Sequence, residues 1–468
     1  MIGTCWRLSI SGIHHRQLIE HLFPGDGLEA AAILLCGRTS GCRPRLCVRD
    51  IIPVPHSDCQ RERDHLSWPS GILDTALERA NSEELSLILT HSHPTGLWSF
   101  SGLDDESDQD IVPDLMDELR HKNAVVGTAV AVPGGALKAR LYDSSFEPID
   151  IEHVQVCGDD IHFFFENRQA GRAPMAFTSG MRSELCRLTA CVVGASGTGS
   201  IVAEQLARLG FGKIILIDPD RIEIKNLNRI LNARVADAKE QAFKVDRLKE
   251  AILSFREDVE VCALSKSIES REAILAAAES DVLFCCVDTA TGRQVCDLIS
   301  NSFVIPLFDI GVTIPTAMET DLGRVVADVV GRVSYVQPGL SSLEDRGVYT
   351  QRTLRAEELA ANDPRRYARE VAEGYIDGMV DEAPSVITLN MRAAAAIATE
   401  FIARSYPYRF EENCLYAQTE FSLADMSEEH FPENTWTAKS AKYLIGRGIR
   451  EPLLNIPGLQ ENGMELTR

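Results

Sequence analysis

Nowhere in the sequence do two cysteines stand as Cys-x-x-Cys, which argues against a zinc ribbon, whose tetrahedral site is built from such pairs. The 13 cysteines are odd in number and follow no regular framework, a usage that fits a reducing cytoplasm better than a secreted disulfide scaffold. No apolar stretch approaches the length of a membrane span. The first residues lack the basic region, apolar run and small-residue cleavage site of a signal peptide, so a cytoplasmic protein is expected. Positive charge is also short: 47 Lys and Arg face 69 Asp and Glu, for a net charge of -22. Phosphate backbones demand clustered cations, so a broad nucleic-acid surface is excluded. Internal repeats and long low-complexity segments are absent as well.

What is present is enough chain for two or three domains, 468 residues of ordinary globular composition. Up to about residue 157, short apolar runs alternate with a few helical patterns. A helix is expected over 14–23, strands over 30–35, 45–54, 85–90, 124–131 and 137–142, and a helix over 105–120 that Pro113 interrupts. This is an α/β or α+β domain. Residues 158–188 read as a connecting region. From 189 to 468 the pattern changes to regular alternation: strands at 190–193, 213–217, 259–264, 281–287 and 303–310, with helices at 200–209 and 242–255 between them. That is the pattern of a doubly wound, Rossmann-like sheet, which binds a nucleotide at the C-terminal ends of its strands. A late Ala-rich helix over 386–403 is expected to pack on the sheet, and the stretch 444–454 offers no site.

The most specific local signal is His91-Ser92-His93-Pro94 followed by Ser101-Gly102-Leu103-Asp104. Alternate residues of an extended segment point the same way, so His91 and His93 can offer both imidazoles to one metal ion. Asp104, at the start of the next helix, can be the third ligand, leaving one position for water. These residues resemble the JAMM (JAB, MPN+) metallopeptidases, whose motif is a distant Glu, then HxHP, then Ser and Asp three apart. The resemblance covers about the first 155 residues. It implies Zn²⁺ held by His91, His93 and Asp104, Glu29 as general acid and base, and Ser101 as donor to the tetrahedral oxyanion. Asp105 and Glu106, in the same helix, need no role beyond its dipole.

The second signal is a glycine loop, Gly194-Ala195-Ser196-Gly197-Thr198-Gly199, between a strand and a helix. Ser196 replaces the middle glycine of GxGxxG, but backbone N–H groups and the helix N-terminus can still receive phosphate. On its own this loop leaves NAD, FAD and ATP open. Downstream, Asp218-Pro219-Asp220 ends a strand, Asn226-Leu227-Asn228-Arg229 follows, then Lys244, and Asp288 closes another strand. An acid after the second strand suits ribose hydroxyls; Asn226, Arg229 and Lys244 suit a triphosphate; Asp288 suits Mg²⁺. A plain dehydrogenase has no need of this series. The series resembles the E1-like adenylating enzymes of the ThiF/MoeB family over roughly 168–401. The resemblance implies ATP and Mg²⁺, with Asp218 on the ribose, Arg229 and Lys244 on the phosphates and Asp288 on the metal. It also implies a homodimer through this domain, with Arg168 lent across the interface. The implied partner is a small β-grasp, ubiquitin-like protein whose C-terminal glycine is adenylated, with an E2-like protein as a further partner.

The family pattern breaks in one region. After 331–339, where relatives often carry a zinc-binding cysteine pair, this chain has Ser342 and Asp345, and no cysteine lies between Cys296 and Cys414. The crossover segment, about 340–383, is where related enzymes place a thioester cysteine. Three routes stay open: adenylation alone, an oxyester on a hydroxyl such as Ser341, Ser342 or Thr350, or transfer through Cys414. Serine needs an adjacent base to serve. The fusion resembles those of bacterial ubiquitin-like operons and, by that resemblance alone, implies a tagging pathway with a part in antiviral defence. The alternatives are sulfur-carrier activation, a scaffold without chemistry, and an NAD oxidoreductase.

Overall fold

A computed structural model describes residues 5–121, 123–166, 173–319, 323–373, 386–439 and 442–460. The chain divides into two compact units, one of residues 1–173, 301–304 and 443–468, the other of residues 174–300 and 305–442.

The first unit is built on a nine-stranded mixed sheet. In spatial order its strands are Ile161–Phe165, His153–Cys157, Arg7–Ser11, Arg45–Pro53, Ala31–Arg38, Ser86–Ser92, Val126–Ala131, Leu137–Tyr142 and Pro148–Asp150. Side chains alternate between the two faces of a strand, and the strand Ala31–Arg38 feeds both. Ala32 and Leu34 join a core with Leu18 and Leu22 of the helix Gly12–Leu22. Ile33 and Leu35 join a second core with Leu73 and Ala76 of the helix Gly71–Glu83 and with Val112 and Leu115 of the helix Gly102–Glu118. Burial on both faces is why the sequence there is an uninterrupted apolar run rather than an alternating one.

Two expectations change in this unit. Pro113 does not interrupt its helix, which runs through it as Gly102–Glu118. The carbonyl that loses its partner belongs to the exposed Gln109, so it is open to solvent. Within 158–188, read as connection, Ile161–Phe165 pairs antiparallel with His153–Cys157 in this sheet, while Ser179–Leu185 is a helix that belongs to the second unit. The stretch after 443 also acquires a place. The Gly37 amide donates to Gly446 O at 3.1 Å and the Ile449 amide to Arg38 O at 2.9 Å. A side chain at Gly37 would put its Cβ 2.1 Å from Gly446 O, so the approach requires glycine.

The second unit holds an eight-stranded sheet ordered Glu260–Leu264, Lys213–Ile217, Thr189–Val193, Val282–Cys285, Leu307–Thr313, Val330–Val336, Gln418–Ser422 and Glu428–Phe431. The first five are parallel and the last three join antiparallel. Thr189–Val193 comes first in the chain yet lies inside the sheet, with later strands on both sides. Strand order therefore reverses beside it, and the crevice for a ligand opens between its C-terminal end and that of Val282–Cys285. The Ala-rich helix Ile387–Ser405 packs where expected, with Phe401 ring centroids 5.4 Å from Phe211, 6.1 Å from Phe284 and 5.9 Å from Phe308. No helix among the described residues is long and apolar enough to cross a membrane.

Candidate functional site

In the first unit the register of two central strands assembles the histidine site. Ala31 pairs with His91, and the Ala30 amide donates to Ser92 Oγ at 2.9 Å. The His93 amide donates to Ala131 O at 2.8 Å, so the strand end is held from both sides. Glu29, two residues before the Ala31 strand, consequently arrives beside the His-x-His end of the neighbouring strand. Ser101 then caps the helix Gly102–Glu118: its Oγ accepts from the Asp104 amide at 3.2 Å, and the Ser101 amide donates to Asp104 Oδ2 at 2.5 Å. This capping box fixes the Asp104 carboxylate at the helix start.

His91 Nε2 and His93 Nε2 lie 3.0 Å apart, and Asp104 approaches them at 3.1 and 3.4 Å. Nitrogen ligands 2.0–2.1 Å from a tetrahedral zinc stand about 3.3 Å from one another, so this spacing suits zinc. The tautomer suits it too. His93 Nδ1 lies 2.9 Å from Leu97 O, and a carbonyl there calls for a donor, which leaves Nε2 with its lone pair for a metal. Among the described residues these three are the one group with metal-ligand geometry.

Glu29, His91, His93, Ser101 and Asp104 line one cavity of about 490 Å³, together with Leu66, Trp68, Leu97 and Leu103. Burial raises the Glu29 pKa, against the pull of His91 and His93. For Asp104, burial pushes the other way, but its bonds to His91 and His93 hold the carboxyl far below the usual range. Burial alone would lower His93; its bonds to Asp104 and Leu97 O raise it instead.

Arg61 is a residue the sequence did not single out. Its Nε donates to Glu29 O at 2.7 Å, and it pairs with Asp26 at 2.8 Å while reaching Leu28 O at 3.3 Å. It thereby locks the segment that delivers Glu29. No motif links the two residues, which stand 32 positions apart.

The glycine loop of the second unit lies at the strand-order reversal. Gly194 has φ +91, and a Cβ there would come 2.8 Å from Cys286 O. At Gly199 a Cβ would fall 1.7 Å from Gly194 O. The backbone turns this tightly only without side chains, and it leaves a cradle for phosphate below the helix Gly197–Leu209. Asp218 is buried and holds the loop: its Oδ2 accepts from the Ala195 amide at 2.7 Å and its Oδ1 from the Asp220 amide at 2.8 Å. Burial raises its pKa, opposed by Lys244. Lys244 Nζ pairs with Asp220 at 2.7 Å and lies 3.6 Å from Asp218. Asn226 is buried and accepts from the Glu223 amide at 3.0 Å, while Arg229 lays its Cγ and Cδ against Gly197. Asp288 is exposed just beyond the strand Val282–Cys285. The fold thus brings the loop, Asp218, Lys244, Arg229 and Asp288 to one end of the sheet. Arg168 lies outside the described residues.

Ser342 sits elsewhere. It is buried, its Oγ donates to Asp345 Oδ2 at 3.1 Å, and the Asp345 amide donates back to Ser342 Oγ at 3.1 Å. Beside it Arg346 donates to Ser341 Oγ at 2.9 Å and Ala417 O at 2.8 Å and pairs with Glu433 at 2.7 Å. Hydrogen bonds and an ion pair thus close this turn. Cys414 is partly exposed, with Glu412 at 3.6 Å.

Both units are similar to known proteins. Residues 12–142 match the prokaryotic homologs of the JAB domain. Ubiquitin-like modifier-activating enzyme 5 of Caenorhabditis briggsae is 27% identical over 162 residues, which cover 32% of this chain and 34% of that protein. The tRNA threonylcarbamoyladenosine dehydratase of Bacillus subtilis is 42% identical over 76 residues, 16% of this chain and 29% of the relative. The chain thus spans about a third of the length of these curated relatives. A solved structure of E. coli MccB with ATP aligns at 16% identity and a TM-score of 0.42, covering 56% of this chain and 68% of the other. Residues 167–413 match the ThiF family, and with more than half of its length so matched the chain belongs to that family of E1-like proteins and carries a JAB-domain homologue before it.

Proposed function

We propose that the chain is a bifunctional enzyme of a ubiquitin-like pathway. Its first unit hydrolyses a peptide or isopeptide bond after the C-terminal tail of a ubiquitin-like protein, and its second adenylates the glycine so exposed. The observation that carries the reading is the convergence of His91 Nε2, His93 Nε2 and the Asp104 carboxylate at zinc-ligand spacing, in a cavity that Glu29 also lines.

Bound zinc supplies an acidified water and a Lewis acid for the scissile carbonyl. His91, His93 and Asp104 would hold it. Glu29 would take the proton from water as its oxygen attacks the carbonyl carbon, then return it to the amine as the C–N bond breaks. Partial desolvation suits Glu29 to this exchange, because a raised pKa makes it a better base than a solvated carboxylate. The Ser101 oxygen already accepts from the Asp104 amide, which leaves its hydrogen to donate to the oxyanion.

In the second unit a carboxylate oxygen of the C-terminal glycine would attack the α-phosphorus of ATP and expel pyrophosphate. Gly194, Gly197 and Gly199 would cradle the phosphates, Arg229, Lys244 and Asn226 would hold their charge, and Asp218 and Asp220 would set the ribose end. Asp288 would take Mg²⁺, and Arg168 of a dimer partner belongs to the same proposal. So does the division of labour between a peptidase region at 1–157 and an adenylating region from 189, with 158–188, expected as a linker and N-terminal arm of the adenylating region, holding the strand Ile161–Phe165 and the helix Ser179–Leu185. Ser341 and Ser342, both buried and engaged in a turn, are poor candidates for an acyl acceptor. We therefore favour adenylation without a thioester on this chain, followed by direct transfer to an E2-like partner. The names of the modifier-activating relatives support a ubiquitin-like substrate.

The test is to incubate the protein with ATP, Mg²⁺ and a ubiquitin-like protein that carries residues beyond its glycine. Cleavage measured by mass and pyrophosphate release measured in the same tube should both occur. Glu29→Gln should slow the first by about 100-fold or more, and Lys244→Ala should abolish the second when processed partner is supplied. Cleavage with no pyrophosphate release from any processed partner would remove the adenylating half of the proposal.

A further inference from the structure

The helix Gly102–Glu118 carries two site residues at its start, Ser101 as its cap and Asp104 in its first turn. The buried residues further along it are Asp108, Val112 and Leu115. Val112 and Leu115 pack in the apolar core, whereas Asp108, one turn beyond Asp104, meets polar groups. Three residues of the strands Val126–Ala131 and Leu137–Tyr142 converge on its Oδ2. Arg140 donates to that oxygen from Nη2 at 2.7 Å and from Nε at 3.2 Å, and Thr128 Oγ1 donates at 2.7 Å. The Tyr142 hydroxyl donates to the same oxygen. Arg140 Nη1 then donates to Asp105 Oδ1 at 2.6 Å. The guanidinium also lies over the Phe100 ring, 3.8 Å from its centroid. Arg140 is 6% exposed and Asp108 7%, so the pair is buried. One guanidinium thus grips the residue before Ser101, the residue after Asp104 and the next turn of the helix.

Adhesion alone does not call for this arrangement. A buried ion pair gives up hydration on both sides and is often no more stabilising than apolar side chains of the same volume. Apolar contacts of that kind hold the following turns through Val112 and Leu115. What they lack is direction. Hydrogen bonds from a planar fork fix both the rotation of the helix and its place along the sheet. A metal ligand needs such placement, because a site holds its geometry within about 0.5 Å.

We propose that Arg140 is a positioning residue of the metal site. Acting through Phe100, Asp105 and Asp108, it fixes the helix start so that Asp104 meets His91 and His93 at ligand spacing and Ser101 faces the same cavity. The inference rests on the zinc reading of the first unit and adds to it a support from another strand. No local pattern announces that support, since Arg140 and Asp105 stand 35 positions apart.

The test uses the full chain, stripped of metal, with the metal alone as probe. Zn²⁺ is titrated in competition with a chromophoric chelator, and Co²⁺ absorption reports the ligand geometry. Wild type is compared with Arg140→Met, Arg140→Lys and Val112→Ala, with thermal melting of each as the control for folding. Arg140→Met should bind Zn²⁺ about 10–100-fold more weakly, as loss of an outer partner of metal ligands does, and its Co²⁺ spectrum should depart from wild type. Arg140→Lys keeps the charge without the fork and should lose about tenfold. Val112→Ala removes apolar packing from the same helix and should melt lower with wild-type Zn²⁺ affinity. A folded Arg140→Met within about twofold of wild-type affinity, or an equal loss in Val112→Ala, would overturn the positioning role and leave the zinc reading intact. Should Arg140→Met fail to fold, Arg140→Lys decides alone on the same criterion. A wild-type chain that binds no zinc would overturn the zinc reading and this inference with it.

Discussion

Glu29 and Asp297 are both buried acids, and their surroundings give them different work. Glu29 lines the cavity of the histidine site, so its carboxyl can reach a reacting group. In the proposed hydrolysis it moves the proton, and general acid–base catalysis of this kind contributes about 10²–10⁴-fold. Glu29→Gln should therefore slow cleavage by about 100-fold or more while zinc content stays at the wild-type level, as rate and metal analysis on one preparation would reveal. Asp297 is instead engaged by the chain around it. It accepts from the Leu343 amide at 2.9 Å and the Tyr349 hydroxyl at 2.9 Å, yet burial pushes its pKa up to about 7. An unfolded aspartate titrates near 3.9. The folded state therefore binds the proton more tightly. Its stabilising contribution is complete below pH about 4 and is lost as pH rises toward 7. Melting curves at pH 4 to 8 should show the wild type losing stability relative to Asp297→Asn as pH rises through this window; a constant difference would contradict the assignment.

At the scale of elements, the turn after the strand Val330–Val336 is closed by Arg346. Its guanidinium is fully buried and joins Ser341, Ala417 and Glu433, with the Trp436 ring 4.9 Å away. Removing one partner of a buried ion pair leaves the other charge uncompensated and costs about 3–5 kcal/mol. Arg346→Met should lower the stability of the second unit by about 3 kcal/mol in denaturant titrations, with no change in zinc content. Elements of this kind mark where the sequence could be read and where it could not. The His-x-His strand end and the Ser101–Asp104 cap were legible because both are local: alternation sets the first and a three-residue spacing the second. The parallel strands of the second unit were legible for the same reason, as apolar runs between helices. Arg346 and Glu433 lie 87 positions apart, and Arg61 and Glu29 lie 32 apart, so no local pattern announces either pair. The strand Ile161–Phe165 was missed because its run is short and three consecutive phenylalanines mask any alternation. The segment after 443 carries no periodicity; backbone bonds to the strand Ala31–Arg38 hold it.

For the whole molecule, the account joins two chemistries in one chain, each with its own unit and its own ligand set. The acidic balance of the chain, -22 overall, bears on neither site, because both are defined by a few converging side chains. Among the described residues, only His91, His93 and Asp104 come together as metal ligands, and the turn at Ser342 and Asp345 is closed by hydrogen bonds. The first unit should therefore carry a resident zinc, held by these three residues. The most direct measurement is elemental analysis of the purified protein alongside a His91→Ala His93→Ala variant. The account predicts one zinc per wild-type chain and none in the variant, with nucleotide binding by the second unit retained. A zinc-free wild type, or zinc that survives loss of both histidines, would contradict it.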